Sequence, residues 1–553
     1  MKKILIPFIL LFLMWGSSIG QKLESGPQVL TVHSDLDDTE QPYALYLPKD
    51  YNEMNAYPLV VMLHGAGSNH RLALRRVFGK SNLEGENDVE ASRYFPEWDD
   101  VNYIVVAPYA RGTAGYQGVP ETDVMQVIED VKERFTIDEN RMYLTGLSMG
   151  GGGTLWIGLT QPDIWAAIAP VCPAPPTQAL ELMQNSFNYP VHFFHGDADP
   201  VVPVAGTQRM IKAMEANGTK VSYAEYPGVL HDSWVNAYEG GFIFDWFDNF
   251  TKNPYPQKVK FATRQLKYDG AYWVEITEIE SGELAEIEAT FDFEGNLKID
   301  TKNLNAFSLD LAKHPNYNDS QPLNLALDGK DHQLPAAPEF HFYKENGEWK
   351  PGIRESRVMT KKSGLEGPVF DAFAQRHVYV FGTMDNPSEE ELAARRATAL
   401  EAANWSNYRG EFLGRIMFFP RVISDKEVRP SDLEDANLIL FGDANSNSII
   451  SGMKEVLPMH LNENDGEHGL IYIYPQGNNY IVVNSGLSWW SNLEETGYPF
   501  VAMTHRVLPN FEDFMLFKGS MQTPVASGFF DNNWSLSEEH KEALGSNGIV
   551  TLR

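Results

Sequence analysis

The chain has 553 residues, 43% hydrophobic and 12% aromatic, too long for one core and too apolar to stay disordered over its length. Its 44 Lys+Arg against 75 Asp+Glu give a formal charge of −31, which repels nucleic acid and anionic lipid and argues against both as partners. The lone cysteine, Cys172, excludes an internal disulfide; set among apolar residues and prolines, it reads as a small buried hydrophobe.

Residues 1–20 have the pattern of a secretory leader. Lys2 and Lys3 precede an apolar run over 4–15, and the small residues Gly16, Ser17, Ser18 and Gly20 follow. Cleavage is expected near Gly20–Gln21. The run is short for a membrane span, so the reading is an exported protein, periplasmic or secreted, with no membrane insertion after cleavage.

From residue 29 to about 250, short apolar runs alternate with helical spacing. Strands are expected over 58–63, 103–107, 142–144, 166–171, 191–194 and 221–226, and helices over 121–135, 151–159, 207–216 and 241–250. Such alternation predicts a mostly parallel sheet with helices on both faces, whose functional groups gather at the carboxyl ends of the strands. Residues 253–256, with two prolines, read as a linker. Strand-like runs without helices follow over 272–276, 286–293, 296–300 and 307–311, predicting a small β-sandwich. Beyond about residue 367 alternation returns. Strands are expected over 377–382, 415–419, 438–441, 470–474 and 480–484, with an amphipathic helix over 388–403 and another over 448–456, making a second, smaller α/β unit. The expected division is a leader over 1–20, a first α/β domain over 21–252, a β-sandwich-like domain over 257–335 and a C-terminal α/β domain over 367–553.

The first domain carries a set of residues that suits nucleophilic catalysis. In 141–154, Gly146-Leu147-Ser148-Met149-Gly150 lies between an expected strand and an expected helix. A serine on so sharp a turn is held clear of the sheet, and small residues must flank it. Downstream, His195 to Pro203 offers Asp197 and Asp199 after one strand, and His231 follows the next. Asp199 is favoured to orient a base, because the following Pro200 and Pro203 stiffen its loop; Asp197 is expected to bond the turn itself. His231 is the candidate base. An oxyanion needs backbone N–H donors: Met149, next to the serine, and Ala66, with Gly67 as fallback, in His64-Gly65-Ala66-Gly67.

These four motifs together, Leu63 to Gly67, Thr145 to Gly151, His195 to Pro203 and Gly228 to Trp234, resemble the α/β-hydrolase superfamily. They are similar in particular to exported bacterial esterases and prolyl-oligopeptidase-like enzymes of the dienelactone-hydrolase or feruloyl-esterase type. The resemblance covers about 28–252 and implies an α/β-hydrolase fold with Ser148, Asp199 and His231 as a triad. No propeller is expected ahead of the domain, in contrast to prolyl oligopeptidases proper, since only about 30 residues separate the expected leader from the first strands. The reaction implied is cleavage of a carboxylic ester through an acyl-enzyme, on a small-molecule or polysaccharide-linked substrate such as an acetyl or feruloyl ester. A prolyl-type serine peptidase, and a non-catalytic carbohydrate-binding protein on a hydrolase core, are the alternatives.

No cofactor or metal is expected. Residues 328–332 and 462–468 contain Asp, Glu and His without ligand spacing, and 442–447 reads as a helix-capping loop. The long connection 69–101 holds Arg71, Arg75, Arg76, Tyr94, Phe95 and Trp98, which either overhang the serine or form a helical insertion with solvated arginines. Tyr109 to Gly112 and Gly115 to Gln117 are candidates for the cleft rim.

Overall fold

A computed structural model describes residues 23–354, 359–410, 413–462, 466–494, 497, 500–546 and 548–553. The expected leader at 1–20 lies outside the described residues. Among those described, no helix is long and apolar enough to cross a membrane.

The first α/β unit is built on an eight-stranded sheet. Its strands are β1 (Gly26–Ser34), β2 (Thr39–Leu47), β3 (Tyr57–Leu63), β4 (Ile104–Pro108), β5 (Ile137–Leu147), β6 (Ala167–Val171), β7 (Val191–Gly196) and β8 (Val221–Tyr226). They lie in the order β1-β2-β4-β3-β5-β6-β7-β8. The β1–β2 and β2–β4 pairs are antiparallel, and all pairs from β4 to β8 are parallel. Strand β3, Tyr-Pro-Leu-Val-Val-Met-Leu, is buried at every position, as a strand covered on both faces must be. Helices α1 (His70–Val77), α2 (Asp88–Ala91), α3 (Val119–Arg134), α4 (Met149–Thr160) and α5 (Val204–Ala216) connect the strands. One face of the sheet packs through Leu59, Val61, Ile128, Leu155 and Trp165. The other packs through Val60, Met62, Leu74, Tyr143 and Phe247.

Helix α4 is the innermost element. It begins directly after β5, and every residue from Gly150 to Thr160 is buried. Its backbone approaches the sheet so closely that a Cβ on Gly150 would stand 2.1 Å from Leu63 O, and one on Gly146 would stand 2.4 Å from Gly150 O. Backbone atoms cannot yield as a flexible side chain can.

The next ten strands are β9 (Lys258–Thr263), β10 (Gly270–Ala271), β11 (Val274–Ile279), β12 (Ala285–Phe291), β13 (Leu297–Lys302), β14 (Leu304–Asp310), β15 (Leu323–Leu327), β16 (Lys330–Leu334), β17 (Glu339–Glu345) and β18 (Glu348–Pro351). They form two five-stranded sheets, β10-β11-β14-β17-β18 and β16-β15-β13-β12-β9. Alternate residues such as Val259, Ile276, Ile287, Ile299, Phe307 and Leu325 meet between the sheets in one core, a sandwich.

The C-terminal region holds a seven-stranded sheet in the order β20-β19-β21-β24-β23-β25-β26. Its strands are β19 (His377–Phe381), β20 (Arg421–Ser424), β21 (Asn437–Phe441), β23 (His468–Gln476), β24 (Asn479–Gly486), β25 (Phe514–Lys518) and β26 (Ser520–Gly528); β22 (Met459–Leu461) pairs apart with β27 (Val550–Leu552). Residues 415–419, expected as a strand, are irregular. Ile416 and Phe418 alternate inward because they pack with Leu36, Val119, Trp405 and Val501 against the first unit, not because a ladder holds them. The expected amphipathic helix is present at Glu389–Ala402, but it buries only Ala399 and Ala402 and its charges surround it.

A buried polar seam joins the sandwich to the C-terminal unit. The Glu366 carboxylate accepts the N–H groups of Leu266 and Lys267, and the N–H groups of Glu366 and Gly367 reach the Tyr480 hydroxyl, which donates to Asp371. Burial, with Asp371 adding repulsion, pushes the Glu366 carboxyl up to about 8, against those donors and Lys267. Burial raises Asp371 too, against Lys267 and Tyr480.

A carboxyl whose pKa is raised on folding adds stability that is complete below its unfolded value and is lost as pH rises through its folded value. The melting temperature should therefore fall from pH 5 to pH 8.5, and Glu366→Gln should flatten that slope; an unchanged slope in differential scanning calorimetry would contradict the seam. Gly150→Ala should cost about 3 kcal/mol or prevent folding. Gly206→Ala on α5, where nothing lies within 4 Å of the new Cβ, should be neutral or stabilise by about 0.5–1 kcal/mol in urea titrations.

Candidate active site

The segments that follow β3, β5, β7 and β8 converge at the carboxyl edge of the first sheet. Ser148 sits between β5 and α4 with φ 54° and ψ −116°, a left-handed conformation for a residue with a Cβ. That strain is held from both sides: Ser148 N–H donates to Val171 O at 2.9 Å, and Ser148 O accepts from Gly152 at 2.9 Å and Ala174 at 3.2 Å. Its hydroxyl oxygen lies 2.9 Å from His231 Nε2, and His231 Nδ1 lies 2.7 Å from Asp199 Oδ2. A carboxylate only accepts, so Nδ1 carries the proton and Nε2 accepts from the serine hydroxyl. The Asp199 side chain is wholly buried, and that of His231 is 18% exposed.

Asp199 is fixed at both oxygens. Oδ1 accepts the N–H groups of Val201 at 2.8 Å and Val202 at 2.9 Å, and Oδ2 faces His231 and, at 3.3 Å, His195 Nε2. Burial works to raise its pKa; the hydrogen bonds from His231 and the two amides outweigh it and hold the carboxyl below its ordinary range. Asp197 Oδ1 instead accepts the N–H of Gly228 at 2.6 Å, tying the β7 and β8 loops together.

Sequence reading missed the part His195 plays. Its buried ring has Nδ1 2.9 Å from the Thr207 hydroxyl and Nε2 2.9 Å from Val202 O, so it braces the loop that carries Asp199. The only sequence signal is its place four residues before that aspartate.

After β3, the His64 ring spans two carbonyls, Gly65 O and Tyr109 O, each 2.8 Å from a ring nitrogen. Burial lowers its pKa, against those two contacts, and a neutral ring donates to one of the two. Tyr116 adds a bond from its hydroxyl to His64 O at 3.0 Å. In the turn this secures, Gly67 N–H donates to Thr113 Oγ1 at 2.9 Å, whereas Ala66 N–H meets no protein acceptor among the described residues. Ala66 is exposed, and a Cβ on Gly65 would stand 3.6 Å from Ser148 Cβ. Met149 follows the serine as the first residue of α4.

Cys172 lies directly behind these groups. It is fully buried, and burial pushes its thiol up to about 12, against contacts from the Ser233 hydroxyl and the Ser148 backbone. Among the described residues, Cys172, Asp199 and His231 are a trio whose ligand atoms lie within 4.8 Å of one another. A thiol so strongly held in its protonated form fits packing, and the other two side chains are already engaged with each other.

Several expected rim residues lie elsewhere. Arg111 has no exposed surface: it donates to both oxygens of Asp37 at 2.7 Å, to Asp123 at 2.6 and 3.2 Å and to Ser34 at 2.6 Å, under the Phe418 ring. Arg75 is equally buried and donates to Ala91 O, Ser81 O and Glu86 within the insertion. Arg71 and Arg75 lie over Phe95 and Tyr94, and Trp98 stacks on Phe78 at 4.9 Å, so these aromatics are bound into the fold. The C-terminal unit instead reaches the turn after β3: Phe500 lies 4.0 Å from where a Gly67 Cβ would stand, and Tyr408 packs on it at 5.3 Å between centroids.

A family model described as phospholipase/carboxylesterase matches residues 93–240. Feruloyl esterase D of Neurospora crassa is 25% identical over 234 residues, 41% of this chain and 76% of that protein. Cutinase 1 of Thermobifida cellulosilytica is 30% identical over 122 residues, 22% of this chain and 45% of that one. A solved thermostable esterase is 29% identical with a TM-score of 0.33, over 41% of this chain and 63% of its own. With the strand order, the turn at Ser148 and the family match in agreement, the first unit has an α/β-hydrolase fold of the esterase type.

Proposed function

We propose that this protein is an exported serine esterase that works through an acyl-enzyme, with Ser148 as nucleophile, His231 as base and then acid, and Asp199 as the group that orients His231. The observation that carries the reading is the unbroken chain from Ser148 Oγ through the His231 ring to a buried, ionised Asp199, with contacts of 2.9 and 2.7 Å. As Ser148 attacks an ester carbonyl, its proton passes to His231 Nε2, and Asp199 stabilises the imidazolium that forms. The carbonyl oxygen becomes an oxyanion held by the N–H groups of Ala66 and Met149, donors worth about 3–4 kcal/mol each in such sites. His231 then protonates the departing alcohol. A water, deprotonated by the same ring, releases the acid and restores the serine.

The acyl side of the substrate is an aryl acid of the hydroxycinnamate type, esterified to a polysaccharide. Support comes from Phe500 and Tyr408, which place aromatic surface beside the oxyanion turn, and from the relatedness to a feruloyl esterase. Export rests on the charged, apolar and small-residue segments within 1–20.

Ser148→Ala should abolish labelling by a fluorophosphonate probe and lower ester turnover by roughly 10⁴-fold or more, and Asp199→Asn should lower kcat by about 10⁴-fold with the fold intact by circular dichroism. Substantial turnover by the Ser148 variant would remove the mechanism. Phe500→Ala should raise KM for methyl ferulate about tenfold, a loss of roughly 1.5 kcal/mol of aromatic contact, while sparing p-nitrophenyl acetate. Faster cleavage of proline anilides than of either ester would favour a peptidase instead.

A further inference from the structure

The outer face of the sandwich sheet β16-β15-β13-β12-β9 changes character across its width. Over β9, β12 and β13 it carries paired charges, Lys258–Glu288, Lys302–Glu286 and Lys298–Asp300. Toward β15 and β16 these give way to a groove of about 780 Å³. Its floor is low, because Ala326 stands in register between Lys298 and Asp331. A relay of side-chain amides runs along it: Gln333 donates to Asn324 at 3.2 Å, Asn324 to Asn296 at 3.2 Å, and Asn296 to Asp292 at 2.8 Å. Each amide has two N–H groups and a two-lone-pair oxygen, so every member keeps hydrogen-bonding capacity for a ligand while its neighbour fixes its orientation. At the tip of the β12–β13 hairpin, beside Asp292, the Phe293 side chain is 95% exposed.

Those features match one ligand chemistry. Hydroxyl groups donate and accept at once, as amides do. The C–H face of a pyranose is apolar and weakly electropositive, which suits the negative face of an unpaired phenyl ring. A neutral chain meets no Coulomb penalty, whereas Asp292, Asp331 and the charge of −31 repel uronates. We propose that this groove binds a neutral polysaccharide chain and so tethers the enzyme to the glycan that carries its ester. The tethering purpose rests on the esterase reading; the binding itself does not.

The test is affinity electrophoresis of the full-length Ser148→Ala protein through native gels holding arabinoxylan, mixed-linkage β-glucan or polygalacturonate. Retardation by a neutral glycan and not by polygalacturonate is expected. An added Asn324→Ala/Gln333→Ala pair, and separately Phe293→Ala, should weaken the apparent affinity at least fivefold. The same changes in the wild-type background should leave p-nitrophenyl acetate hydrolysis and the melting temperature unchanged, since all three positions are exposed. No retardation by either neutral glycan, or retardation unaltered in both variants, overturns the proposal. Retardation with no ester turnover by the wild type would refute the esterase reading alone.

Discussion

The closeness of helix α4 to the sheet governs everything at the carboxyl edge. Because Gly150 lies against the Leu63 carbonyl, the helix can begin one residue after Ser148 and still clear β3. The turn between them then has room for one residue only, and that residue takes a left-handed backbone with its side chain driven outward. The same contact brings the start of α4 beside the turn after β3, so the amides next to Ser148 and at Ala66 come to one edge. A larger residue at either contact would separate strand from helix, and with them Ser148 from the turn after β3. Stability and chemistry are coupled at this place: strain at Ser148 is sustained by the bond its N–H donates to Val171 O and by those its carbonyl accepts from Gly152 in α4 and Ala174 after β6.

Around that edge the later units act as walls. Arg111, fixed by Asp37 and Asp123, lies under Phe418 of the C-terminal region, so a single guanidinium joins the β1–β2 turn, α3 and a segment more than three hundred residues away. Removing its charge would leave two buried carboxylates facing one another, a change that typically costs several kcal/mol. Through this clamp and the small apolar cluster of Leu36, Val119, Ile416 and Val501, the C-terminal unit is held where Phe500 lies beside Gly67 in the turn after β3. The surface near Ser148 is thus shared between units that are distant in sequence.

Motifs whose chemistry is local were legible in the sequence. Gly146 to Gly150 announces a tight turn because only glycine tolerates the clash, and Asp199 stands out from Asp197 through the prolines that stiffen its loop. Apolar runs located β3, β4 and β6 to β8 to within two residues and the buried centre of β5, since buried parallel strands are continuous apolar stretches; the polar start of β5, Ile137 to Arg141, gave no such run. What could not be read is what depends on partners far along the chain. Arg75 and Arg111 look like surface residues by type; their carboxylate and carbonyl partners, not their own identity, bury them. Residues 415–419 alternate like a strand because one side faces a neighbouring unit, and one-sided burial gives the same pattern with or without a ladder. Phe500, eighty residues beyond that segment, carries no signal of a place beside Gly67.

Asp199 shows how the site divides its tasks. Both of its oxygens are occupied before any substrate arrives, one by two amides and one by His231, with His195 alongside. Removing a carboxylate from water should favour its protonated form, yet these donors reverse the sign and keep it ionised. The His195 ring strengthens the arrangement without competing for the proton that matters, because its Nε2 is shared with Val202 O and its Nδ1 meets the Thr207 hydroxyl. In the proposed cycle, the charge that must meet the imidazolium is therefore present and immobile from the start. Protons move only between Ser148, the His231 ring and the reactants; Asp199, wholly buried, keeps its charge throughout.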